Sequence, residues 1–338
     1  MTLRAIDILK EALKIFAKHS NFIFFAALTS LPLFVFSLYF ENRLQIFLLQ
    51  TSQFLQEENH ETTNSLGTKT IQDYFVVDVY AERPGADWLL PLAMLRKLSN
   101  DLFQEFLHLG FLYLVPFNLL QLVSVIVIVD LASKIYREEK ALTFKDMFGM
   151  RFDGERLQGI IVTFLFVVLF STCTLIGFIC LLITYSSFMA YFPKNRYFYS
   201  YDISYFVADI SVHAIYGSNL MLLTGIYLAW SAIWNLGLVV SVLEGKYVVR
   251  ALGSSAYLCL RNLQNGMVLM LVFSLWEMGS RLLGFLSFVS DRRWVFVVAQ
   301  SGLFCLESAV KWVGFVVYFE DCIRRLFRKT VDVGEEES

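Results

Sequence analysis

The sequence predicts an all-α membrane protein, a polytopic helical bundle of about six transmembrane helices with amphipathic interfacial helices. Three observations carry that prediction. First, 57% of the 338 residues are hydrophobic and 17% are charged, against roughly 45–50% and 25% in soluble domains. A soluble fold of this length leaves too much surface in water to hide that excess. Second, six apolar runs, 21–40, 109–129, 157–185, 219–243, 266–290 and 294–319, each approach or exceed the ~20 residues that a helix needs to cross a ~30 Å hydrocarbon core. Third, of the five prolines only Pro32 and Pro116 fall within these runs, so the runs are free to satisfy their backbones as helices.

Residues 2–20, "TLRAIDILKEALKIFAKHS", have amphipathic helical spacing. Arg4, Asp7, Glu11, Lys14 and Lys18 recur at intervals of three and four, with Ile6, Leu9, Leu13 and Phe16 opposite them. Thr2 is the expected N-cap. An apolar face, basic charges and an adjoining span predict that residues 1–20 lie in the cytoplasmic interface; the alternative is packing against another part of the protein. The membrane domain then occupies 21–319 and a cytoplasmic tail 320–338. No cleavable signal-peptide pattern precedes the first span, which is expected to act as an uncleaved anchor.

Lysine and arginine set the orientation. With six spans, the segments on the N-terminal side hold 17 Lys/Arg and those on the opposite side hold 9, although the latter are longer. The positive-inside rule therefore predicts that both termini are cytoplasmic. Arg324, Arg325, Arg328 and Lys329 directly after the last run anchor that end. No retention or transit signal distinguishes the endoplasmic reticulum or another endomembrane from the plasma membrane.

Between spans one and two, 56–72 is polar and turn-rich and reads as a mobile loop. Residues 86–108 mix apolar and charged positions and suggest a further interfacial helix. The stretch "FMAYFPKNRYFYSYDISYF" suits an aromatic belt at the lipid–water boundary. The two connectors on the N-terminal side share a plan: an apolar helix closing on a carboxylate (Asp130, Glu244), an amphipathic segment, and a return span. Thr143 and Asp146 in "TFKD" resemble a capping box.

The segment "WNLGLVVSVLEGKYVVRALGSSAYL" carries Trp234, Val240, Glu244, Ala251, Leu252, Ser254 and Ser255. It resembles a plant family of uncharacterised multi-pass membrane proteins. More distantly it is similar to the membrane domain attached to some bacterial glycerophosphodiester phosphodiesterases. "VDLASKIYREEKALTFKDMF" is similar to the earlier connector of the plant family. The resemblance implies a six-span helical domain and, in the plant family, no assigned reaction.

The chemistry of a catalyst is missing from the sequence. His19, His60, His108 and His213 are dispersed, without HExxH or another metal-ligand spacing. There is no CxxC, GxSxG, phosphate-binding loop or GxGxxG. The expectation is a protein that is not an enzyme, with no cofactor and no metal. Net charge is −2, which supplies no electrostatic basis for nucleic acid. The expected partners are the lipid bilayer and a lipid headgroup or membrane-protein partner; the oligomeric state is not fixed by the sequence. Cysteines 173, 180, 259, 305 and 322 lie in spans or on the N-terminal side, so no lumenal disulfide is implied. Cys259 and Cys322 are juxtamembrane, where unmodified thiol or palmitoylation are the alternatives.

Four charges remain inside the last two runs. "SLWEMGSRLLGF" places Glu277 and Arg281 four residues apart, and "LESAVKW" repeats that order and spacing with Glu307 and Lys311. Both glutamates are 15 residues from Arg292 in the intervening turn, so antiparallel neighbours would hold them at one depth. Each lone charge at mid-span costs roughly 2.5–3.5 kcal/mol, or on the order of 10 kcal/mol for four. The charges should therefore avoid lipid. They either neutralise one another and lock the register, the favoured expectation, or leave room for a headgroup, a solute or a proton.

Overall fold

The computed structural model describes residues 4–65, 100–138, 154–191, 203–289 and 293–336. Within these the chain is helical, with no strand. The helices are α1 (Ala5–Lys18), α2 (Ser20–Ser65), α3 (Asn100–Leu112), α4 (Asn118–Glu138), α5 (Gly154–Tyr191), α6 (Ile203–Glu244), α7 (Val249–Leu260), α8 (Leu263–Val289) and α9 (Arg293–Glu336). Six stretches are long and apolar enough to cross a bilayer: Ser20–Thr51, Leu102–Arg137, Arg156–Tyr185, Ala214–Glu244, Leu263–Gly284 and Trp294–Leu326. The chain is thus an all-α polytopic membrane protein. Tyr113–Phe117 forms a π-helical turn joining α3 to α4. Its Pro116 has no N–H to give to the ladder, and the wider turn absorbs that loss without ending the span.

Two compact units are distinguished. The first comprises 1–38, 117–175 and 221–338, and α9 is its central element. From Trp312 to Cys322 α9 is buried on nearly every side, with Val313, Phe315, Val316, Val317, Tyr318 and Phe319 fully enclosed. A helix that is apolar all round must be surrounded, and α1, α4, α7 and α8 do the surrounding. α8 makes the most extensive contact, as α9's antiparallel neighbour. Two close approaches fix their register: Gly266 lies against the Tyr318 hydroxyl, and Gly284 against the Gln300 amide. At Gly284 an added Cβ would stand 2.5 Å from Gln300 Oε1, so the missing side chain is what admits that amide. Serine bonds stitch α2 to the others, Ser30 to Ser124 at 3.1 Å and Ser37 to Ser301 at 3.3 Å.

The second unit, 39–116 and 176–220, is marked by aromatic pairs: Phe40 with Tyr113, Phe47 with Phe106, and Tyr185 with Tyr216. The Arg43 guanidinium lies 5.9 Å from the Tyr39 ring centre, a cation–π contact that shields a charge within the first span.

Several local expectations change. α1 turns Ala5, Ile8, Ala12 and Ile15 inward onto α9, α8 and α4, while Ile6 and Leu13 stay exposed. Its principal packing is against protein, because the small Ala5 and Ala12 allow closer approach than the bulkier stripe. The N-cap is Arg4, whose N–H donates to the Asp7 carboxylate at 3.2 Å; Thr2 lies outside the described residues. Residues 56–65 are helical, continuing α2 rather than forming a loop; 66–72 are outside the described residues. Residues 100–108 belong to the helix that enters span two, and 86–99 are not described. Asp130 does not close its helix: it pairs with Lys134 at 2.7 Å and α4 runs on to Glu138. Glu244 does end α6. The stretch after 320 is helical to Glu336, with Arg324 over the Tyr136 ring and Arg325 on Asp321. The capping box at Thr143 and Asp146, most of the aromatic belt (192–202) and Arg292 fall outside the described residues.

Candidate intramembrane polar site

The α8–α9 seam carries the four intramembrane charges. Gly266 with Tyr318, and Gly284 with Gln300, are both centred on position 292, as are 277 and 307. Glu277 and Glu307 therefore stand level across the seam. On α8 the seam positions 266, 270, 273, 277, 280 and 284 alternate in steps of three and four, as antiparallel ridge packing requires. Glu277 is thus a seam position by spacing, and Arg281, one turn further toward the outer end of α8, lies on its flank.

Of the two expected pairs, one is formed and one is not. Arg281 reaches Glu277 only at 4.0 Å, with both side chains about half exposed. Glu307 is 4% exposed, and the charges acting on it are those of Lys311, Glu277 and Arg281. Yet among the described residues no ion pair within 4 Å and no hydrogen bond holds its carboxyl group. Lys311, one turn on, places its ammonium 5.7 Å from the Trp312 ring centre instead of on Glu307. The Glu277–Arg281 half of the cluster expected from spacing is thus present, whereas Glu307 and Lys311 do not close to within 4 Å. Spacing fixes which side chains share a level, whereas the indole of Trp312 offers Lys311 a competing partner.

Other polar atoms nearby are also unmet. Gln300 Oε1, Ser308 Oγ and Trp312 Nε1 are buried without a hydrogen-bond partner among the described residues. Gln300 sits on the seam beside Gly284; Ser308 and Trp312 lie on another face of α9. An unmet buried polar atom costs about 1–3 kcal/mol. Gln300 was legible as a polar residue in an apolar run. Ser308 and Trp312 were not, because serine and tryptophan occur in spans for packing reasons alone. Ser280 is spent locally, donating to the Glu277 carbonyl at 2.8 Å.

The connector residues form a separate structural junction. Trp234 is buried and stacks on Phe170, with ring centres 5.9 Å apart. Glu244 pairs with Lys246 at 2.8 Å. Ser254 is half-exposed; its neighbour Ser255 is buried and donates to the Leu252 carbonyl, while Leu252 packs onto Gly237. Sequence reading missed Gly159, Thr163 and Tyr247. The Tyr247 ring covers Gly159 so closely that it leaves no room for a Cβ there. Thr163 Oγ1 accepts the Val248 N–H at 2.9 Å, and Arg156 donates to the Val242 carbonyl. Val248 has φ 48°, left-handed backbone that a β-branched residue adopts only under constraint. These contacts bind the α6–α7 turn to α5 and show no arrangement of reactive groups.

Cys259 and Cys322 are both buried. The Tyr318 hydroxyl lies 3.8 Å from Cys259 Sγ and donates to the Asn262 carbonyl at 3.1 Å. Burial holds the Cys259 thiol above its ordinary pKa. Neither sulfur is placed for acylation, so packing favours the unmodified thiol.

No family model, curated protein or solved structure matches the chain.

Proposed function

We propose that this is a non-enzymatic integral membrane protein that holds a lipid or other amphiphilic guest at the α8–α9 seam. The observation that carries the reading is Glu307: a residue buried at mid-span, level with a second glutamate, whose carboxyl group has no ion pair within 4 Å and no hydrogen bond among the described residues. A bundle that needed only a register lock would be served by closing Lys311 onto Glu307. Retaining an unmet carboxyl at a cost of roughly 2.5–3.5 kcal/mol is instead the signature of an intramembrane binding position. Both termini face the cytoplasm on the lysine and arginine distribution, in an endomembrane or the plasma membrane. The partners in this reading are bilayer lipids, and the connectors serve as scaffold.

Transport of the guest is the second reading, favoured by the half-exposure of Glu277 and Arg281, which opens one flank of the seam. The test is reconstitution of wild type and Glu307→Gln into proteoliposomes, followed by native mass spectrometry of retained lipid and a lipid flux assay. Guest retention that depends on Glu307 is expected, and flux dependent on it selects the second reading. Identical retained lipid and identical flux in both proteins would refute the proposal.

A further inference from the structure

The seam is rich in acceptors and poor in donors. Among the described residues the Glu307 carboxylate has no ion pair within 4 Å and no hydrogen bond, the Glu277 carboxylate is held at 4.0 Å by Arg281, and Gln300 Oε1, two turns outward, is buried and unmet. Ser280, the hydroxyl within the α8 face, already gives its proton to a backbone carbonyl. The two resident cations act on Glu307 only at longer range, since Lys311 rests against Trp312 and Arg281 pairs with Glu277 on the exposed flank. The missing complement is a positive charge bearing several N–H donors. The route to it runs over apolar surface: Met278, Leu282 and Leu306 are exposed beside the charges.

Resting on the reading above, we propose that the guest is a single-chain or lipid amphiphile with a primary ammonium head. The ammonium is bound between Glu307 and Glu277, and Lys311 acts as a resident competitor for the same carboxylate. A primary ammonium supplies three donors, enough for both carboxylates; its apolar chain follows the exposed flank. Lys311 is four residues from Glu307, the spacing at which a lysine can swing onto a glutamate of its own helix. A phosphate-headed guest without an amine would meet two carboxylates first and is disfavoured by their repulsion.

The test uses the full chain in phosphatidylcholine nanodiscs, with binding measured by native mass spectrometry and thermal stabilisation. Dodecylamine, dodecanol and dodecyltrimethylammonium are compared, with ethylamine and sodium chloride as free-cation arms. Charge-assisted hydrogen bonds predict at least about tenfold tighter binding of dodecylamine than of dodecanol. Dodecyltrimethylammonium, which has no N–H, should fall well below the primary amine. Glu307→Gln should reduce dodecylamine to the level of the alcohol, and Lys311→Met should tighten dodecylamine several-fold. Glu307→Asp, retaining the charge, guards against a folding defect and should keep the preference for the amine. Equal binding of amine and alcohol, both lost in Glu307→Gln, would overturn the ammonium assignment and leave the seam as a binding site. Equal protection by ethylamine or sodium would overturn the amphiphile. No binding of any amphiphile by wild type would overturn both the assignment and the function proposed above.

Discussion

Replacing Glu307 by leucine should stabilise the folded bundle. The side chain is 4% exposed, and no ion pair or hydrogen bond among the described residues compensates its carboxyl group. If the group is charged, the insertion cost is roughly 2.5–3.5 kcal/mol, reduced by Lys311, Glu277 and Arg281 acting at longer range. If it is protonated, an unbonded polar group in an apolar setting still costs about 1–3 kcal/mol. Either route predicts that Glu307→Leu gains about 1–3 kcal/mol, and leucine is close enough in volume to fill the same seam position. The gain would accompany loss of guest binding, the trade-off expected where a site retains a destabilising group for function. Reversible unfolding in mixed micelles, followed by circular dichroism against denaturing detergent, measures the difference. A loss of 1 kcal/mol or more in Glu307→Leu would refute the reasoning, because it would mean that the carboxylate is a structural partner after all.

Further outcomes concern the scaffold. Val248 occupies the first central position of a turn closed by the Arg250 N–H on the Tyr247 carbonyl, with φ 48° and ψ −114°. Glycine is unstrained there, so Val248→Gly should raise stability by about 1 kcal/mol in the same assay, strain relief exceeding the added chain entropy. Gly159→Ala should lose about 1–3 kcal/mol by driving a methyl into the Tyr247 ring. In a double-mutant cycle, Tyr247→Ala should remove most of that penalty; strict additivity would contradict the contact. Tyr318→Phe should cost about 1 kcal/mol, since the Asn262 carbonyl loses its donor. N-ethylmaleimide at neutral pH should leave Cys259 unmodified in the folded protein, because the thiol is fully buried and burial keeps it protonated. Labelling after unfolding provides the comparison, and rapid labelling of the native protein would show that α7 does not pack as described.

The sequence by itself determined the class of object. Six apolar runs and a shortage of charge leave no soluble alternative, because the cost of exposing that surface does not depend on how the helices pack. Sequence also placed Glu277 level with Glu307, since depth along antiparallel helices follows from residue count and a fixed rise of 1.5 Å. What it could not decide was pairing. Whether Lys311 turns to Glu307 or to Trp312 depends on side-chain directions within a packed seam. Whether α1 buries Leu13 or Ile8 depends on what lies beside it. The same limit applies to Asp130, which has the local chemistry of a helix end yet sits within α4, and to Gly159, whose role exists only because Tyr247 arrives from 88 residues away. Hydropathy and rise act along one chain segment and can be read from it. Packing and the competition between partners around Glu307 are settled largely by segments distant in sequence, and only the tertiary structure brings those together.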